Sequence, residues 1–420
     1  MMTPARLAAP RAVRPLRRAL IPTMLALGVV GLFAAPAQAE DGQGFTLHEA
    51  LAYMPASMLD SPTPPFAVFV NVQAALALGR ASGQTQALTT RMRAGLPLRA
   101  VAALEAGDAA RWQQATGLPP NAVQYLAGFG KPATMTTIWG LGSSDRVEQF
   151  MQHLPARGFE PIAASGLSRA VANGQPLVLD LSRREAANPW LGARGQTSIA
   201  APLPTAVVQT GAPQAAATLQ HIAPERSLAE HEAIRPALEA LQSAVQDGAQ
   251  IVQAVVVAPP AAAAPLTPAA RAALRGHTPA PVSEVQVPAY TGAIVADVQT
   301  NGQPAVGIAL TYDDCVAATA AGDTLARAWQ AADPAGSVPR ADGQPQAQAT
   351  TTVQVTTHPS SAGACAVLAR LGSATQDGVT NPVFDGLLAR LQEQDLPLLR
   401  IGNGASQSTG VAAIAPSPAR

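Results

Sequence analysis

Two rhythms of apolar and polar residues run along this chain: short, nearly continuous apolar runs, and stripes spaced three and four residues apart. Residues 66–72, Phe-Ala-Val-Phe-Val-Asn-Val, form a run of strand length and predict a strand covered on both faces. A short helix is expected before it, at 47–53. Helical sequence is expected after it, at 86–106 with a break at Gly95-Leu96-Pro97, at 108–116, and from about Asn121 to Gly128. Asp108 and Asn121 are the N-cap candidates for the last two. Residues 136–140 predict a strand and Gly142-Ser143-Ser144 a turn with an N-cap. Val147, Phe150, Met151 and Leu154 then mark a helix with one apolar stripe.

Weak alternation at 167–172 and the apolar run Leu177-Val178-Leu179 are further strand candidates, as are 197–201 and 205–210. A short helix is expected from Gly211 to Ile222, and Ser227 with Glu230 has capping-box spacing for another. Pro236 opens a helix with Leu238, Leu241 and Val245 on one face, and residues 251–257 close this part as an apolar strand.

Beyond an Ala/Pro-rich stretch, Asn301-Gly302 between the runs 293–298 and 305–312 predicts a β-hairpin. A helix from about Asp314 carries Leu325 and Trp329, and 333–348 reads as loop. Residues 350–356 read as a Thr/Val-rich strand and 362–371 as a helix. Asn381-Pro382 starts a last helix with Phe384, Leu387, Leu388 and Leu391 on one face, followed by a final strand at 398–401. Strand, helix, several strands, helix, strand predicts an α+β protein of ferredoxin-like α/β sandwich layers, with antiparallel sheets and helices on one face. Two regions are expected: an N-terminal domain at 40–257 and a C-terminal domain at 289–402. They are separated by an Ala/Pro-rich linker at 258–288, with one short helix expected at 269–275, and followed by a flexible tail at 403–420.

Residues 1–39 change where these domains would work. Arg11, Arg14, Arg17 and Arg18 precede a mostly apolar run at 19–35 that ends on Ala37-Gln38-Ala39, the pattern of a secretory signal peptide cleaved after Ala39. A membrane anchor needs roughly 20 apolar residues; this run is shorter, and Pro22 interrupts its start. Sec export to the periplasm is the expected route, with release to the medium as the alternative. No membrane span is expected after cleavage. The Ala-rich composition, with Lys131 the only lysine among 27 basic residues, looks like the product of a GC-rich bacterial genome.

Composition excludes some function classes. The formal net charge is zero and charged residues make up 13%, so no basic patch is expected to neutralise phosphates, and nucleic acid is not an expected partner. Envelope proteins are the expected partners. In an oxidising compartment the only two cysteines, Cys315 and Cys365, most simply form one disulfide; free thiols or a redox pair are the alternatives.

No signature of chemistry is complete, and no cofactor, metal or catalytic residue is assigned. His48-Glu49 and His231-Glu232 begin a metalloprotease pattern, yet Ala52 and Arg235 stand where its second histidine belongs. Gly142-Ser143-Ser144-Asp145 lacks the second glycine of a nucleophile elbow and reads as helix capping. Asp313-Asp314 ends a strand and starts a helix, where a cap also accounts for it. The expected function is that of a non-enzymatic accessory, binding or assembly factor. The alternative is a cell-envelope hydrolase using Ser143, Ser144, Asp313 or Asp314.

Overall fold

The computed structural model describes residues 46–60, 66–82, 91–131, 135–258, 286–331, 351–360, 363–373, 378–393 and 396–401. The expected signal peptide, the tail, the helix at 269–275 and the loop at 333–348 lie outside these residues. The described residues all fall within one compact unit.

Twelve strands form a single sheet in the order β11-β12-β10-β9-β8-β1-β2-β3-β7-β6-β5-β4. They are β1 (Phe66–Asn71), β2 (Tyr125–Gly130), β3 (Thr136–Gly140), β4 (Glu160–Pro161), β5 (Val171–Ala172), β6 (Ile199–Pro202), β7 (Ala206–Thr210), β8 (Ala249–Val257), β9 (Gly292–Thr300), β10 (Gln303–Tyr312), β11 (Thr351–Pro359) and β12 (Cys365–Ser373). Every ladder is antiparallel. The chain is therefore α+β with a large antiparallel sheet, as the sequence predicts. Strand β8, before the Ala/Pro-rich stretch, pairs with β9, after it, so the sheet is continuous between them.

Helices cover both faces, not one. In β1, Val68 and Val70 face one core while Ala67 and Phe69 face the other, which is why its sequence is apolar throughout. On the first face lie α2 (Val72–Ser82), α3 (Arg99–Ala106), α4 (Ala109–Thr116), α5 (Ser144–His153), α8 (Cys315–Ala331) and α9 (Pro382–Gln392). On the second lie α1 (Thr46–Ala52), α6 (Pro213–Gln220) and α7 (Arg235–Gln246). Helix α7 comes from the first half of the chain yet packs over β8, β9, β10 and β12, and a Cβ on Gly307 of β10 would lie 3.1 Å from Leu241. The second half does not cover its own strands alone.

Several elements differ from expectation for local reasons. Residues 121–128 are not helical: a 3-10 turn, Pro120–Ala122, leads into β2, whose central residues are buried between β1 and β3. Residues 365–373 are strand β12, not helix. Their Ala, Leu and Arg suit a helix, but both faces of the segment are buried between β10 and β11, a setting that leaves no alternation to read. Helix α2 was not anticipated; Asn71 starts it by accepting the Ala74 amide at 2.9 Å. Ser227 and Glu230 start no helix, and 397–399 is a 3-10 turn instead of a strand.

Cys315 and Cys365 form a disulfide with Cα atoms 5.0 Å apart, joining the start of α8 to the start of β12.

A candidate interaction site at one end of the sheet

The residues singled out for chemistry in the sequence are not brought together. Ser143 is the N-cap of α5, accepting the Arg146 amide at 3.3 Å, and Ser144 is the first residue of that helix. Asp314 Oδ1 accepts the amides of Val316 and Ala317, each at 2.8 Å, at the start of α8. These caps follow β3 and β10, which lie five strand spacings apart, roughly 24 Å at about 4.8 Å per strand. His48 Nε2 lies 3.4 Å from Glu230, and His231 accepts the Ala233 amide. Among the described residues no group of three His, Cys, Asp or Glu side chains is placed to hold a metal ion.

Two polar clusters escaped the sequence reading. The first is buried. Arg91 donates from Nε and Nη2 to both carboxylate oxygens of Asp297, at 2.6 and 2.5 Å, with the two side chains 1% and 0% exposed. Gln253 of β8 and Asn381, the N-cap of α9, also donate to Asp297 at 2.9 and 2.6 Å. The other Arg91 amino group donates to Gln299 and to the Val379 carbonyl. Burial pushes the Asp297 carboxyl up, while Arg91, Gln253 and Asn381 pull it back. Nearby, burial pushes Asp385 in the first turn of α9 up to about 6, against the pull of Arg93 at 3.8 Å and with a further push from Asp297. The donors of Arg91 and the oxygens of Asp297 are turned on one another, so this cluster fastens the two halves of the chain and leaves no open group for a ligand.

The second cluster is open. It lies where the sheet ends in the two-residue strands β4 and β5, and its main wall is the connection between β5 and β6, residues 173–198. A cleft of about 490 Å³ runs between this connection, α4 and the 3-10 turn Pro155–Arg157, lined among others by Arg111, Arg157, Arg183, Glu185, Phe159 and Trp190. Its floor is rigid. Trp190 stacks on Trp139 at 5.1 Å, Trp139 on Trp112 at 5.2 Å, and Phe159 meets Trp190 edge-on. Trp139 Nε1 donates to Gln209, whose amide nitrogen donates to the Pro189 carbonyl and to Ser198. Arg99 Nη1 donates to the carbonyls of Trp190 and Gln196, and burial lowers this guanidinium to about 10, still protonated at neutral pH.

The hydrogen bonds of Arg157 and Arg183 go to neutral oxygens, and Arg183 also lies within electrostatic reach of the Asp180 carboxylate. Arg157 donates to the carbonyls of Gln114 and His153, and Arg183 to that of Asn173. None of the ion pairs among the described residues includes Arg99, Arg111, Arg157 or Arg183.

Beside the cleft the run expected as a strand stands out into solvent. Leu177, Val178, Leu179 and Leu181 are 69%, 38%, 57% and 66% exposed, four of the five exposed large apolar side chains among the described residues. The loop is held in place: Leu177 donates its amide to Gly211, and Leu179 forms a single bridge with Gln196. Gly195 has φ +62°, and a Cβ there would come within 1.8 Å of the Asp180 carbonyl, so only glycine allows the loop to fold back so closely. The sequence signal is the apolar run itself, which reads as a strand candidate and which the structure leaves in solvent. Compared with known proteins, the chain matches no family model, no curated sequence and no solved structure.

Proposed function

We infer that the protein is a non-enzymatic binding or assembly factor, exported to the periplasm and acting on envelope proteins through the leucine loop and its arginine-lined cleft. One observation carries this reading: four of the five exposed large apolar side chains among the described residues are gathered within residues 177–181 on a pinned loop. Contiguous exposed apolar side chains rimmed by polar groups mark interaction sites, whereas single ones need no explanation. The signal pattern of residues 1–39 and the Cys315–Cys365 disulfide support an oxidising compartment. The ferredoxin-like expectation finds its best support in the far half, where β10, α8 and β11 make a crossover with β12 inserted between the two strands.

A photo-cross-linking amino acid placed at Leu179 in cells that export the protein tests the reading. An adduct at 179, with none from the same residue at the isolated, 81% exposed Val316, is the expected outcome. Equal labelling at both positions, or at neither, would contradict it. The hydrolase alternative rests on Ser144 and Asp314; loss of hydrolysis of an envelope substrate in Ser144→Ala or Asp314→Asn would restore it.

A further inference from the structure

We propose that the partner presents an extended acidic segment: carboxylate side chains entering the arginine cleft, with apolar side chains beside them packed on the leucine loop. The proposal rests on the binding function above and names its partner class.

Charge gives the first argument. The cleft holds Arg111, Arg157 and Arg183 against Glu185, with Asp180 of the leucine loop within electrostatic reach of Arg183, so the site keeps a net positive charge. Arg157 and Arg183, whose hydrogen bonds go only to carbonyls, keep unused donors suited to the two oxygens of a carboxylate. Shape gives the second. A bilayer surface is flat and cannot enter a cleft about 490 Å³ in volume, whereas a side chain can. Size gives the third. A helix about 10 Å wide is too bulky for the cleft, whereas the side chains of an extended segment can enter it. Trp190 in the cleft wall is already fixed by stacking on Trp139, itself stacked on Trp112, so little ordering is needed on binding.

The test selects a random twelve-residue peptide library displayed on phage against the full mature chain. Selected peptides should be enriched in Asp and Glu interleaved with Leu, Ile, Val or Phe. Synthetic copies should lose about tenfold in affinity to an Arg111→Ala/Arg183→Ala variant and weaken with added salt. Both arginines are exposed, so this variant keeps its fold, which circular dichroism checks. Peptides without acidic enrichment, or bound equally by the variant, would overturn the proposal. So would binding of phosphatidylglycerol vesicles in place of peptides, or dimerisation of the chain through Leu177–Leu181. In each of these cases a cross-link at position 179 would still uphold the broader binding function, so the two failures can be told apart.

Discussion

At the scale of single residues, the buried pair Arg91–Asp297 and its neighbour Asp385 carry the sharpest consequences. Removing one member of a buried pair leaves an uncompensated charge, which costs about 3–5 kcal/mol. Asp297→Ala should therefore lower stability by that order in denaturant unfolding. Loss of under about 1 kcal/mol would mean that the pair is not closed to water as described. Asp385 acts in the opposite sense. Its folded-state pKa of about 6 lies above the ordinary value of 3.8, so the folded protein binds the extra proton more tightly than the unfolded chain. Stability from this group is complete below about pH 4 and is lost as pH rises through about 6. Asp385→Asn should raise stability at pH 7 by about 2 kcal/mol and flatten the profile between pH 4 and 6, as read by thermal unfolding across that range. An unchanged profile would refute the assignment. Asp297 was half legible: a lone charge inside the apolar run 293–298 demands a partner. Arg91 was not, because it lies 206 residues away and nothing local marks it.

At the scale of elements, the helix stripes of α5, α7 and α9 and the two-face strand β1 follow from the apolar pattern, and the hairpin β9–β10 from its Asn301-Gly302 turn between two apolar runs. Strand β12 and the loop 177–181 did not, and for opposite reasons. In β12 tertiary burial on both faces overrode helical propensity; in the loop an apolar run that looked like core was left in solvent. The disulfide belongs to this scale, since it ties α8 to β12 across a sequence separation of 50 residues. Replacing both cysteines with serine should cost about 2–4 kcal/mol, measured by unfolding of the oxidised parent beside the double variant. Identical midpoints would show that the crosslink constrains nothing the fold does not already hold.

At the scale of the whole molecule, the sheet has two unlike ends joined through one middle. Pairing of β8 with β9, the reach of α7 over the far strands, and the Arg91–Asp297 pair bind both halves of the chain into that middle. The β4 end closes with two-residue strands, Glu160-Pro161 and Val171-Ala172, poor templates for strand addition, so its long β5–β6 connection offers side chains instead of backbone. The account stands or falls on whether that connection is a binding surface. The direct measurement is a native mass spectrum of the protein recovered from exporting cells, taken side by side with a Leu177→Ser/Leu179→Ser/Leu181→Ser variant. All three side chains are exposed, so each change should alter stability by no more than about 0.5 kcal/mol. The account predicts a parent that carries a partner mass and a folded variant that does not. A variant that keeps the same partner, or a parent that appears only as a bare monomer, would contradict it.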